Sequence, residues 1–157
     1  MFDERLRMRP VCISLSAILT LAASQAAYPG ATEAPVALTL ADSSLSWSPC
    51  PEVFPAGCEI AVLHGDPALP NADVFFKVAA GYRIPHHWHS SAERMVLVSG
   101  ELHVTYDSHD PVQLKTGMYA YGPAAAPHVG ECVSAVPCVL FIAFEGPVDV
   151  QTRPRAP

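Results

Sequence analysis

Short runs of alternating apolar and polar residues dominate the chain after residue 35. They are rich in β-branched and aromatic residues and are separated by turn signals such as Gly65-Asp66-Pro67, so they predict strands. The predicted strands are Val36–Leu40, Glu59–His64, Asp73–Ala79, Glu93–Val98, Glu101–Tyr106, Gly117–Tyr121, Val139–Phe144 and Val148–Val150. No segment shows the i, i+3, i+4, i+7 spacing of an amphipathic helix. The pattern predicts one all-β domain over 36–150, folded as a sandwich or small barrel.

The first 26 residues follow a different pattern. A short segment with three arginines precedes a 13-residue apolar run over 11–23, which is shorter than the ~20 residues of a membrane span. Small residues then lead to Ala26, and this order is typical of a secretory signal peptide over 1–26. Translation from Met8 instead of Met1 gives a cleaner signal. The alternative is a buried N-terminal helix or an uncleaved anchor.

Composition and charge limit the partners. The 157 residues are 50% hydrophobic and 15% charged, which indicates a globular protein. The net charge of −6 argues against nucleic acid and, after signal removal, against a membrane, because both attract basic surfaces. We expect a small-molecule ligand and a periplasmic or secreted location, and we consider a homodimer. A loose leader over 27–35 and a frayed tail over 151–157 flank the domain.

Three residues of one short segment suit a metal site. Residues two apart on an extended strand point to the same face, so His87 and His89 can converge on one ion. Small residues after His89 allow a bend that returns Glu93 to that side. His128 belongs to a different hairpin and must come back in space to join them.

At this point the sequence resembles the cupin superfamily. Gly81, five residues, His87-x-His89, three residues, Glu93, six residues and Gly100 match the first cupin motif. Gly117, five residues, Pro123 and His128 match the second motif, with two departures: Ala125 stands where glycine is usual and Cys132 where asparagine is usual. The chain is also similar to the cupin half of zinc-dependent anti-sigma factors, through Trp47-Ser-Pro, Gly65-Asp66-Pro67 and the start of the first motif. The anti-sigma N-terminal half is absent.

The resemblance implies a double-stranded β-helix, or jelly-roll barrel, that holds one metal ion. It gives the ligand roles to His87, His89, Glu93 and His128. Such a set suits a divalent transition metal, namely iron, manganese, nickel, copper or zinc. An octahedral ion would keep two positions open, whereas tetrahedral zinc would be closed. The alternative is that these are core or surface histidines without a metal.

Other polar and aromatic residues receive weaker assignments. Met95 and Leu97 lie two and four residues after Glu93 and therefore point to the same strand face. Tyr119 and Tyr121 share one face of another strand. These four residues are candidates for a substrate pocket. Ordinary packing is the alternative for them. The residues expected to lie away from the metal are His86, Trp88, His103 and His109.

Four cysteines remain once Cys12 leaves with the signal. Export places them in an oxidising compartment, where disulfides persist. We favour the local pairs Cys50–Cys58 and Cys132–Cys138 among three connectivities. A cysteine metal site and a free Cys132 thiol near the metal are the alternatives.

Three functions compete on this basis. The first is a secreted metal-dependent oxidoreductase, most plausibly dioxygenase-like, acting on a small organic molecule. Its catalysis would be the metal's, because no nucleophile–base pair, phosphate loop or dinucleotide motif is present. The second is a non-catalytic module that senses or binds a small ligand or zinc. The third is a structural barrel with incidental metal, and fold alone does not choose among them.

Overall fold

The computed structural model describes residues 33–152, and within them ten strands and no helix form. The strands are β1 (Ser48–Pro49), β2 (Cys58–His64), β3 (Asp73–Val78), β4 (Arg83–His87), β5 (Glu93–Ser99), β6 (Glu101–Tyr106), β7 (Val112–Lys115), β8 (Tyr119–Gly122), β9 (His128–Cys132) and β10 (Cys138–Phe144). The chain divides into two units, one ending at Ala37 and one beginning at Leu38, and every strand belongs to the second. The predicted signal peptide, most of the leader and residues 153–157 of the tail lie outside the described residues.

The strands form two antiparallel sheets. One sheet has six strands in the order β1-β2-β3-β10-β5-β8, and the other has four in the order β4-β9-β6-β7. Neighbours in these sheets are mostly distant in sequence, because β10 pairs with both β3 and β5 and β9 pairs with both β4 and β6. This confirms the predicted all-β fold, whose architecture is that of a double-stranded β-helix.

The main core packs the inner faces of the two sheets together. Val74 of β3, Leu97 of β5 and Leu102 of β6 are almost fully buried within it. Along β5 and β6 the buried residues alternate with less buried ones, which matches the two-residue period of a strand that has one face inward. A smaller cluster around Ala61, Phe75 and Val139 lies on the outer face of the six-stranded sheet, where the ring of Trp47 stacks on Phe75.

Six of the eight predicted strands form, with ends that differ by at most two residues. Two predictions are wrong. Among the described residues, Val36–Leu40 pairs with no strand. Val148–Val150 follows a proline and forms an irregular segment, held by a hydrogen bond from Val148 N–H to the Pro67 carbonyl and by an isolated bridge between Trp88 and Gln151.

Strands β1, β4, β7 and β9 were missed because their sequences are short or interrupted. Pro85 lies inside β4, which is possible because β4 is an edge strand and needs ladder partners on one side only. Strand β9 was missed because Gly130 interrupts its sequence, and glycine is unfavourable inside a strand. No helix of the described residues is long and apolar enough to cross a membrane.

One departure from the second motif has a visible backbone consequence. Ala125 has a φ of 57°, in the left-handed region where glycine is favoured. Its N–H donates to the carbonyl of His89, which ties this turn to the segment before β5. The alanine therefore adopts the conformation of the usual glycine at a steric cost.

Candidate metal centre

Two strands of the smaller sheet bring the first pair of histidines together. His87 ends β4 and His128 begins β9, and the two are direct partners in the antiparallel ladder. The ladder shifts between Ile84 and His87, so both of these side chains face inward although they are three residues apart. The pairing of β4 with β9 explains how His128, which is distant in sequence, comes to lie beside His87.

The other two predicted ligands come from the segment after β4 and from the larger sheet. His89 lies beyond the end of β4, so its approach to His87 depends on an irregular segment and not on the strand alternation used in the sequence argument. Glu93 is the first residue of β5 and is almost fully buried. The structure therefore brings all four predicted ligands together.

The four side chains are close enough to share one ion. One ring nitrogen from each of His87, His89 and His128 lies within 4.8 Å of the others. Glu93 Oε2 is 3.5 Å from His89 Nε2, and Glu93 Oε1 is 3.7 Å from His128 Nε2. The donors are three imidazole nitrogens and one carboxylate.

Backbone carbonyls hold the orientation of every imidazole. The Nδ1–H of His87 donates to the Pro85 carbonyl at 2.7 Å, and that of His128 donates to the Ala126 carbonyl at 3.1 Å. The Nδ1–H of His89 donates to the carbonyl of Asp149. A carbonyl can only accept, so these bonds assign the proton to Nδ1 and leave the Nε2 lone pair free to bind a metal.

Burial sets the charge state of the cluster. Desolvation, helped by the charge of His128, lowers the pKa of His87 to about 3, and desolvation lowers the pKa of His128 to about 4. Burial also raises the pKa of Glu93, against a smaller opposing effect of His89. The imidazoles of His87 and His128 are thus neutral near pH 7, and burial disfavours the charged form of the Glu93 carboxyl group.

These residues fit a divalent transition metal. Imidazoles with free Nε2 atoms and a buried carboxylate are ligands of first-row metals. A bound cation would favour the charged form of the Glu93 carboxylate, which burial disfavours. His87, His89, Glu93 and His128 are the residues that would hold it.

A cavity of about 110 Å³ opens onto the four side chains, and we call it the metal cavity. Its walls are mainly aliphatic and aromatic. The ring of Phe54 packs edge-on against His87 at 5.2 Å, and that of Phe144 against His89 at 5.4 Å. Among the described residues that line it, the ionisable side chains are the four ligands and Asp149, with no lysine or arginine. The cavity suits a small molecule without a strong negative charge.

The candidate substrate residues lie elsewhere. None of Met95, Leu97, Tyr119 and Tyr121 lines the metal cavity. Leu97 is fully buried in the core, while Met95 and both tyrosines line a second cavity of about 540 Å³. That second cavity lies beside β6, β7 and β8, and the tyrosines are more than half exposed there. Their assignment to a substrate pocket stays a prediction, but these four side chains do not line the metal cavity, because strand alternation identifies a face and not the cavity behind it.

Among the described residues, His86, His103 and His109 are not part of the cluster of metal donors. The Nε2 of His86 lies 3.0 Å from Asp107 Oδ1. His103 and His109 are exposed. Trp88 is half-buried, and its backbone N–H donates to the Gln151 carbonyl.

The cysteines form the two local pairs. The Cα atoms of Cys50 and Cys58 are 5.4 Å apart, those of Cys132 and Cys138 are 5.7 Å apart, and the sulfur atoms of each pair lie at disulfide distance. Cys50 also lines the metal cavity. The loop that the first pair closes carries Phe54, so this pair anchors part of the cavity wall.

Sequence reasoning missed four residues that touch the ligands, namely Phe54, Tyr106, Phe144 and Asp149. Phe54 and Asp149 lie in irregular segments, where no periodic signal indicates an inward direction. Tyr106 shares the apolar face of β6 with Leu102 and Val104, and that parity was the available signal. In the structure its ring lies 4.8 Å from the ring of His128.

Comparison with known proteins agrees with this architecture. Residues 74–144 match the family model described as Cupin domain. The matched region runs from β3 to the end of β10 and contains all four predicted ligands. The similarity to anti-sigma factors remains a prediction from the sequence. The sequence matches no curated protein.

Solved structures of cupin enzymes share the fold. The DMSP lyase DddQ from Ruegeria pomeroyi is 20% identical, with a TM-score of 0.60 over 72% of this chain and 64% of that chain. Oxalate decarboxylase from Bacillus subtilis is 20% identical, with a TM-score of 0.55 over 62% and 28%. An RmlC-like cupin from Shewanella frigidimarina is 19% identical, with a TM-score of 0.55 over 67% and 86%. The chain thus spans less than two thirds of the length of both enzymes, and the similarity establishes the fold.

Proposed function

We propose that this chain is an exported metal-binding protein that acts on a small organic molecule. One divalent transition metal is held by His87, His89, Glu93 and His128. The observation that carries the proposal is the convergence of three imidazoles, each with its Nδ1–H bonded to a backbone carbonyl, beside a buried carboxylate. When bound, the metal supplies Lewis-acid or oxygen-activating chemistry.

The residues of the chain define what reaches the centre. Phe54 and Phe144 pack against His87 and His89, and the rest of the wall is mainly aliphatic. Away from the metal, this wall fits the apolar part of an organic molecule better than a charged group, since no basic side chain of the described lining would neutralise a negative charge there. A dioxygenase-like oxidation is consistent with this lining.

The second candidate is a non-catalytic module that binds zinc or a small ligand. One observation favours it: the described lining of the metal cavity offers no ionisable group for proton transfer beyond the ligands and Asp149. The Asp149 carboxylate already accepts a hydrogen bond from the Ser90 N–H at 2.9 Å. The sequence similarity to the anti-sigma cupin half supports the same candidate.

Export is supported by two features. The sequence has the pattern of a signal peptide over 1–26, and the cysteines pair at disulfide distance, which is typical of an oxidising compartment. We expect mass spectrometry of the mature protein to find Ala27 at its N-terminus. A mature chain that still begins at Met1 or Met8 would contradict export by this signal.

Metal analysis combined with oxygen uptake tests the function. The protein should be purified from its native source, its metals measured, and oxygen consumption followed with small uncharged organic compounds. We expect one iron, manganese, nickel or copper ion per chain and metal-dependent oxygen uptake, both lost in His87→Ala. One tetrahedral zinc without oxygen uptake would support the non-catalytic module. A protein without stoichiometric metal would overturn both candidates.

A further inference from the structure

Tyr106 is the last residue of β6 and lies directly behind the proposed metal centre. It is the ladder partner of His128, and the two rings are 4.8 Å apart. Its hydroxyl is buried and, within residues 33–152, has no hydrogen-bond partner. A buried hydroxyl without a partner costs about 1–3 kcal/mol of stability, so this position needs an explanation.

Gly122 shows which group the hydroxyl faces. It ends β8 and is the ladder partner of Glu93. A Cβ atom built on Gly122 would lie 2.5 Å from Tyr106 Oη and 2.7 Å from Glu93 Oε1. The two oxygens therefore flank the same small space above the glycine backbone. Any larger residue at position 122 would push between them.

The chemistry of the two oxygens is complementary. A phenol, whose ordinary pKa is about 10, keeps its proton near neutral pH. Toward a carboxylate the Tyr106 hydroxyl can therefore only be the donor. Glu93 Oε2 faces His89, whereas Oε1 is the oxygen on the side of Tyr106.

Resting on the proposed metal site, we propose that Tyr106 is a positioning residue of that site. In the metal-loaded protein its hydroxyl donates a hydrogen bond to Glu93 Oε1 across Gly122 and keeps the carboxylate in one orientation. Outer hydrogen bonds of this kind typically change metal affinity by about 10- to 100-fold. Tyr106 acts through Glu93 and does not itself touch the metal.

Tyr106→Phe removes the hydroxyl and keeps the ring against His128. We expect its dissociation constant for Co²⁺ to rise by about 10- to 100-fold, with a changed visible absorption of bound Co²⁺. The thermal midpoint of the metal-free protein should stay the same or rise, because an unpaired buried hydroxyl is removed. Tyr119→Phe is the matched control, since Tyr119 is 60% exposed and should change neither quantity.

Each other result has a defined meaning. Unchanged Co²⁺ affinity in Tyr106→Phe, with tight binding by the wild type, overturns the role of Tyr106 and leaves the metal site standing. A lower thermal midpoint of the metal-free variant, with affinity falling in proportion, indicates a packing role and also overturns it. If the wild type binds no Co²⁺, the metal site and the role of Tyr106 both fail.

Discussion

The metal cavity and the second cavity differ in a way that their sizes alone do not reveal. The larger one, about 540 Å³ against 110 Å³, is lined by the exposed Tyr119 and Tyr121, and the part of the chain that the structure describes places no cluster of three metal donors in it. The smaller one is mostly apolar, yet three imidazoles and a carboxylate converge in it. Val104 lines both, so the two spaces are close neighbours. Convergent donors with fixed orientation, more than volume, identify the candidate site.

The largest expected effect separates the two cavities directly. His87→Ala and His128→Ala each remove one nitrogen donor from the metal cavity, so each variant should lose its metal on gel filtration, as measured by elemental analysis. His109→Ala, in the second cavity, is the control and should keep the wild-type metal content. Equal metal loss in all three variants would contradict the proposed site.

Acid should lower the free energy of unfolding of the metal-free protein, because two buried histidines of the metal cavity become protonated on unfolding. The pKa values of His87 and His128 are about 3 and 4 in the folded protein and about 6.5 when unfolded. The unfolded chain therefore binds more protons between pH 6.5 and 4, and the stability present above pH 6.5 is lost as pH falls through this window. The raised pKa of Glu93 opposes this loss, but two histidines act against one carboxylate.

The measurement is the denaturant midpoint of the metal-free protein from pH 7.5 to 4. His87→Ala should flatten the profile, because one of the two groups with a depressed pKa is gone. His109→Ala should leave the slope as it is. A wild-type profile that is flat through this range would argue against neutral buried histidines.

Removal of either cysteine pair should lower the stability of the protein by an intermediate amount. Removing either pair with alanines should lower the free energy of unfolding by about 2.5 kcal/mol, since both close short loops. Only the Cys50/Cys58 double variant should also weaken metal retention, because that loop carries Phe54 against His87. Chemical denaturation and metal titration of both double variants test this difference, and equal metal affinity would show that the loop does not support the site.

Substitution of Ala125 in the turn before β9 should raise the stability of the protein by a smaller amount. Ala125→Gly removes the steric cost of a φ of 57° and should stabilise the protein by about 1 kcal/mol. Because the turn precedes β9 and His128, metal affinity should not decrease. A lower thermal midpoint in this variant would indicate that entropy of the unfolded glycine chain outweighs the relieved strain.

The smallest expected effect lies in the second cavity. Tyr121→Ala removes a side chain that is 51% exposed and should change metal affinity by less than the error of the titration. Any activity found for the wild type should also persist. Loss of activity with metal retained would mean that substrate enters through the second cavity and that Tyr121 belongs to the substrate pocket, as the sequence suggests.

The sequence was most informative where one motif is continuous. The resemblance of Gly81–Gly100 to the first cupin motif implied the fold and the ligand roles of His87, His89 and Glu93, and strands β5 and β6 were predicted nearly to the residue. The role of His128 came from the second motif. Strand β4 was hidden because Pro85 is unfavourable for a strand in general but tolerated at a sheet edge.

The pocket could not be predicted for a different reason. The alternation along β5 correctly turned Met95 and Leu97 inward, but the interior contains a packed core and two separate cavities. Which of these a side chain reaches depends on the pairing of strands distant in sequence. Phe54 and Asp149 approach from irregular segments, so periodicity carries no information about them.

The carbonyl acceptors behind the three imidazoles have a consequence for mutational tolerance. Pro85, Ala126 and Asp149 contribute their main-chain oxygens, which every amino acid possesses. Substituting these residues alters side chains without deleting an acceptor, provided that the backbone path is kept. The path of the backbone thus fixes the orientation of the imidazoles. The side chains at these three positions can therefore change while the nitrogen donors stay aligned.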